Sequence, residues 1–221
     1  MVETTAIGQV TMQTIEAVIF DWGGVLIDDP RPALMRYCAK TLGVSEEDYA
    51  KAHNKFMDDF QRGSFSEETF WTKICGELNT PVSSVKDRNG GRSSSLWGDA
   101  FRAAYLPRAD VFSVVTRLKK MGYRTALLSN AEVPAMQFFG ELQYDMFDVA
   151  VFSCAEGMAK PDRRIYEITV DRLDCQSGQA VFIDDRPENI NGAKETGLST
   201  ILFRDIEQVK KELSRLSVKT S

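Results

Sequence analysis

Histidine is almost missing from this chain of 221 residues, cysteine is sparse, and there is neither a basic excess nor a long apolar run. The one histidine, His53, rules out a histidine-rich metal centre, and its place in a helical pattern argues against a catalytic dyad. The four cysteines, Cys38, Cys75, Cys154 and Cys175, form no C-x-x-C pair. They read as reduced thiols rather than as a disulfide framework or a zinc site. A net charge of −5 provides no footprint for nucleic acid. No apolar stretch is long enough to cross a membrane. Residues Met1 to Thr14 lack both the basic start and the apolar middle of a signal peptide. What is present, 43% hydrophobic and 27% charged residues, is ordinary for a globular protein. The expectation is a cytoplasmic enzyme or binding protein whose partner is a small molecule.

The chain is organised around Val18-Ile19-Phe20-Asp21-Trp22-Gly23-Gly24-Val25-Leu26. A short apolar run bounded by turn residues predicts a buried strand of a parallel sheet. Asp21 then falls just past its carboxyl end, where open α/β sheets place their ligand sites. Prolines at 30 and 32 punctuate the chain, and to about Leu106 the pattern is helical. Helices are predicted near Ala33–Leu42, Glu47–Gln61 and Glu67–Leu78, with a further one through Trp97, Phe101 and Tyr105. Ser45-x-x-Asp48 and Ser64-x-x-Glu67 supply start signals. Residues 88–95 read as a flexible connection. The aromatic residues of this segment, spaced at helical intervals, predict its own core.

From Pro107 onward helices and strands alternate. Strands are expected at Thr125–Ser129, Val149–Ser153, Ala180–Asp184 and Thr200–Phe203, with helices between them and a last helix from Ile206 to Leu216. Alternation of this kind predicts a doubly wound parallel α/β sheet. The expected organisation is a polar lead-in over 1–14, an α/β core over 15–29 and 107–221, and an inserted helical cap over 30–106.

Three strands end in polar residues at one edge of that sheet: Asp21, Ser129 and the pair Asp184-Asp185. Lys160 follows the next strand in the loop Gly157–Pro161. Three carboxylates in one crevice repel strongly, so either some are protonated or a hard cation sits among them. An all-oxygen set with few protein ligands suits Mg²⁺, which prefers a phosphate as a further ligand. With Lys160 and the Ser129 hydroxyl, these groups describe a pocket for a phosphoryl group with an acid beside it.

The motifs Asp21-x-Gly23-Gly24-Val25-Leu26, Ser129-Asn130, Lys160-Pro161 and Ile183-Asp184-Asp185 resemble, in order, the four motifs of the haloacid dehalogenase superfamily. The resemblance runs from about Ile15 through nearly the whole chain. Segments around Cys154–Tyr166 and Arg62–Phe70 are similar to the branch with a small helical cap, which includes α-glucose-1-phosphate phosphatases and the phosphatase lobe of soluble epoxide hydrolase. The likeness implies a Rossmann-like core and covalent catalysis, with Asp21 as the nucleophile toward phosphorus. It implies Mg²⁺ held by Asp21, the Gly23 carbonyl and Asp184, with Asp185 acting through a bound water or as a partner to a ligand. Ser129, Asn130 and Lys160 would bind the transferring oxygens, and Lys160 would relieve the charge at Asp21.

One position departs from the family pattern. Gly23 stands where most phosphatases of the superfamily carry a second aspartate, the general acid, a group worth roughly 10²–10⁴ in rate. The resulting expectation is a Mg²⁺-dependent phosphatase of small phosphorylated metabolites, sugar phosphates first, whose leaving group needs little protonation. The alternatives are a metal-independent 2-haloacid dehalogenase, which also lacks the second aspartate, and a non-catalytic phosphate- or metal-binding regulator.

Overall fold

A computed structural model describes residues 14–86 and 95–220. Five strands, β1 (Ala17–Phe20), β2 (Arg124–Ser129), β3 (Val149–Phe152), β4 (Ala180–Asp184) and β5 (Ser199–Leu202), form one parallel sheet in the order β3-β2-β1-β4-β5. The first strand is therefore central, and the chain winds outward from it on both sides. This is the switch point at which open sheets leave a crevice for ligand. Phe20 is level with Leu127 of β2 and Ile183 of β4. That register brings Asp21, the end of β2 and Asp184 to one edge.

Alternation along the strands fills two cores. Val18, Phe20, Leu127, Val181 and Ile183 face one apolar cluster, whereas Ala17, Ile19, Ala126, Leu128 and Phe182 face the other. Both faces are covered, which is why the strands read as continuous apolar runs. Helices α6 (Ala109–Lys120) and α11 (Ile206–Arg215) bury Val114, Leu118, Val209 and Leu213 in the first cluster. On the opposite face, α9 (Arg163–Arg172) and α10 (Pro187–Glu195) contribute Ile165, Tyr166, Val170, Ile190 and Ala193. Helix α7 (Val133–Glu141) follows β2. The doubly wound α/β architecture expected from the sequence is the one observed.

Between β1 and β2 lie five helices: α1 (Arg31–Leu42), α2 (Glu46–Gln61), α3 (Glu67–Glu77), α4 (Ser83–Lys86) and α5 (Leu96–Ala104). The chain enters and leaves this segment along paired backbone. Asp28 N–H donates to Leu106 O and Arg108 N–H to Leu26 O, both at 2.9 Å. The aromatic residues pack as anticipated, with the Phe60 and Phe70 rings stacked at 4.3 Å and Trp97 edge-on to both.

Several boundaries differ from those expected. The first strand stops at Phe20 because the Trp22 carbonyl accepts the N–H groups of Leu26 and Ile27 at 2.9 and 3.0 Å, curling the remaining apolar residues into a buried turn. Ser45 caps α2 as expected, accepting from Asp48 N–H. Helix α3 is capped by Ser66, which accepts from Thr69 N–H, and not by Ser64. A one-turn helix, α8 (Ser153–Glu156), follows β3 directly and was not anticipated; nor was α4. The lead-in to residue 13 and the connection over 87–94 lie outside the described residues. All four cysteines are free thiols. No helix among the described residues is long and apolar enough to cross a membrane.

Candidate active site

Asp21 continues the register of β1, its N–H donating to Ile183 O at 2.9 Å, and the residue is 7% exposed. Lys160 arrives from the loop after α8. Its ammonium donates to Asp21 Oδ1 at 2.6 Å, Asp184 Oδ2 at 2.8 Å and Leu128 O at 3.0 Å. An ammonium has three protons, so all of them are engaged inside the protein. Burial alone would push the lysine toward neutrality, but Asp21 and Asp184 outweigh it and hold its pKa above the ordinary value. Burial pushes the Asp21 carboxyl up to about 7, against the pull of Lys160 and with the push of Asp184.

Asp184 is fully buried. Its oxygens accept from Lys160, from Arg186 N–H at 2.8 Å and from Asn189 Nδ2 at 3.0 Å to each oxygen. The start of α10 is thus anchored through the Asp184 carboxylate; its N-cap residue is Arg186, without a side-chain cap bond. Burial, with Asp184 adjacent, raises the Asp185 carboxyl above its usual range. Its Oδ1 is buried without a hydrogen-bond partner among the described residues. Gly24, at φ +91°, makes room for this acid. A Cβ there would lie 2.3 Å from Asp185 Oδ2, so only glycine fits the conformation and the space.

Carboxylate oxygens of Asp21, Asp184 and Asp185 lie within 4.8 Å of one another. Three carboxylates against one ammonium leave a formal charge of −2. The donors are hard oxygens, and one of them is buried and unpartnered, which fits a small divalent cation such as Mg²⁺.

A cavity of about 260 Å³ opens onto Asp21, Gly23, Ser129, Asn130 and Lys160. Ser129, 4% exposed, ends β2. The Asn130 amide is engaged with main chain: its Nδ2 donates to Lys160 O at 2.9 Å and its Oδ1 accepts from Lys160 N–H at 2.8 Å. Asn130 therefore holds the lysine's main chain. At Gly23 a Cβ would lie 3.2 Å from Pro30 Cδ.

Asn189, Glu132, Gln61 and Arg186 are among the residues outside the predicted site that also line the cavity. Asn189 had a local signal, its place one turn after the acid pair. Arg186 adjoins the same pair, whereas Gln61 and Glu132 take their positions from a contact 71 residues apart in the chain. His53, unsuited by its isolation to a catalytic dyad, nonetheless lines the cavity from α2, where burial lowers its pKa.

A family model described as haloacid dehalogenase-like hydrolase matches residues 15–197. Among curated proteins, the chain is 29% identical over 216 residues to acyl-CoA dehydrogenase family member 10 of Mus musculus, covering 92% of this chain and 19% of that protein. It is 25% identical over 205 residues to the sesquiterpene phosphatase astK of Aspergillus oryzae, covering 92% of this chain and 97% of that protein. The chain therefore spans about a fifth of the first relative and nearly all of the second. Among solved structures, the HAD family enzyme bt-2542 of Bacteroides thetaiotaomicron, in complex with magnesium and inorganic phosphate, superposes with a TM-score of 0.68 at 20% identity. That match covers 88% of this chain and 98% of the other.

Proposed function

The chain belongs to the haloacid dehalogenase-like hydrolases, and from that premise we propose that it is a Mg²⁺-dependent phosphatase of small phosphorylated metabolites. The observation that carries this reading is the Asp21–Lys160–Asp184 contact beside the unpartnered oxygen of Asp185. Asp21, Asp184 and Asp185, with the Gly23 carbonyl, would hold the ion. When bound, Mg²⁺ supplies counter-charge to the phosphoryl oxygens and orients the attacking carboxylate.

Asp21 attacks phosphorus in line; an Asp21–phosphorus bond forms as the bond to the leaving oxygen breaks, and water then releases inorganic phosphate and restores the carboxylate. Ser129 donates to a transferring oxygen. Lys160 shifts one of its protons from Asp21 to the phosphoryl group as the carboxylate charge is consumed. Asn130 keeps the lysine in place through its main chain. Residues 30–106 serve as a cap that closes the cavity above Asp21.

Sugar phosphates come first among the substrates. Trp97 and Phe101 line the cavity together with Asn54 and Gln61, a mixture suited to a polyol, and an anomeric phosphate tolerates the missing acid at Gly23. A second reading, an apolar alcohol, is favoured by Leu34, Met35 and Met57 on the same wall and by the name of the fungal relative. A haloacid dehalogenase would work without metal, leaving the acid pair without a task. A non-catalytic regulator would have no need to keep a carboxylate poised against Lys160. The four free thiols suit a reducing compartment, and we place the protein in the cytoplasm.

The test is phosphate release over a panel of sugar, prenyl, alkyl and aryl phosphates, with Mg²⁺ and with chelator, for wild type and Asp21→Asn. Mg²⁺-dependent release lost in the variant is expected. Activity on haloacids that survives the chelator would select the dehalogenase. Stable labelling of Asp21 without release would select the regulator.

A further inference from the structure

Glu132, an acid that lines the cavity, lies outside the metal-type cluster. Glu132 is 3% exposed, and no ion pair to it is formed among the described residues. Burial raises its pKa. It stands at the N-cap position of α7, where an acid ordinarily accepts from the helix's own N–H groups, yet it makes no cap bond. Its side chain turns to the helical segment instead. Oε1 accepts from Gln61 Nε2 at 2.9 Å and Oε2 from Trp97 Nε1 at 2.8 Å.

Gln61 is the last residue of α2 and Trp97 the second of α5, so one carboxylate ties both helices to the loop that carries Ser129 and Asn130. Neighbouring contacts continue the seam. The Ser153 hydroxyl accepts from Ala131 N–H at 2.9 Å and donates to Gln61 O at 2.6 Å. Arg62 pairs with Asp162 at 2.5 Å. Gly63, at φ +67°, approaches so closely that a Cβ would lie 2.3 Å from Cys154 O. Trp97 in turn stacks on His53 at 5.8 Å, and both rings line the cavity.

Burying a carboxylate without a cation is costly, and two neutral donors offset only part of that cost. A glutamine of the same length offers a single acceptor oxygen, whereas a carboxylate accepts at two. The two donors from separate helices explain why an acid stands here. Resting on the phosphatase reading, we propose that Glu132 is a positioning residue that seats the helical segment over Asp21. Substrates that reach from the phosphate end to the helical wall then depend on it, whereas inorganic phosphate, bound by the sheet edge alone, does not.

The variants Glu132→Gln and Gln61→Glu each break the seam, the first by stranding a donor and the second by opposing two carboxylates. The double variant rebuilds it: the amide introduced at position 132 accepts from Trp97 and donates to the carboxylate introduced at position 61. Each single variant should raise KM for p-nitrophenyl phosphate about tenfold while the inhibition constant of inorganic phosphate stays within about twofold. Amide exchange should quicken in peptides covering 55–66 and 95–104. The double variant should restore KM and exchange. Trp97→Phe, which deletes one donor and keeps the ring, should show the same pattern more weakly and serves if Gln61→Glu does not fold.

Single variants with unchanged KM and exchange would overturn the proposal, as would a phosphate constant that moves in step with KM, or a double variant no better than the singles. If the wild type hydrolyses no phosphate ester, the phosphatase reading fails by itself, and exchange alone decides the role of Glu132.

Discussion

At the scale of single residues, Lys160 is the group whose loss should be felt in both stability and turnover. Among the described residues its ammonium is the one cation paired with both Asp21 and Asp184, with 1% of the side chain exposed. Removing one partner of a buried ion pair leaves uncompensated charge, at about 3–5 kcal/mol. Lys160→Met should therefore lower the unfolding free energy read from denaturant titration by an amount of that size and abolish phosphate release. Asp21→Asn should differ: it keeps the shape of the site, so the melting temperature stays close to wild type while phosphate release falls at least about 10³-fold. His53 makes a pH prediction. Its folded pKa lies below that of the unfolded chain because the ring is buried. Between those values the unfolded chain binds more protons, so the stability His53 contributes is complete above about pH 6.5 and declines as pH falls. Thermal melts from pH 7.5 to 5 should show wild type losing stability faster than His53→Asn. Asp21, Ser129 and the acid pair were legible in the sequence because each stands where an apolar run stops, and Lys160 because of its place before Pro161 in a motif segment. Glu132 was not, because its partner Gln61 lies 71 residues earlier in the chain.

At the scale of elements, the strands were legible because both sheet faces are buried, and so each is a solid apolar run closed by a turn. Helix ends were less so. Ser64 and Ser66 both precede Glu67 and Glu68, and only the observed geometry chooses Ser66 as the cap. The single turn α8 had no periodicity to reveal it; a helix of four residues presents no repeated face. Packing of α10 was equally hidden. A Cβ at Gly192 would lie 2.6 Å from Pro161 O, so this helix presses its glycine directly on the loop that follows Lys160. Gly192→Ala should push that loop and the lysine with it. The expected outcome is a lower melting temperature, about 1–3 kcal/mol of overpacking, together with reduced phosphate release, measured side by side.

At the scale of the whole molecule, the site is made by strands from both halves of the sheet. Order among β1, β2 and β4 and order at the cation site are therefore linked. A ligand that binds only the folded chain stabilises it by about 2.7 kcal/mol at a hundredfold excess over its dissociation constant. For a chain of this size that corresponds to about 5–10 °C. Saturating Mg²⁺ should raise the melting temperature of wild type by that order and that of Asp185→Asn by clearly less, as read by scanning calorimetry. The doubly wound topology was legible in the alternation of helices and strands. The seam between the helical segment and the sheet was not, since it consists of single polar contacts from α2 and α5 that no local pattern announces.

The tight approach of Pro30 to Gly23 has a consequence for anyone wishing to retrofit a proton donor into this chain. An aspartate at 23 brings its first side-chain carbon to 3.2 Å from the proline ring, and the ring has to give way by a few tenths of an ångström before the new acid settles. The swap that looks like one letter in the sequence is thus a two-position change in space, with Pro30 trimmed in the same gene.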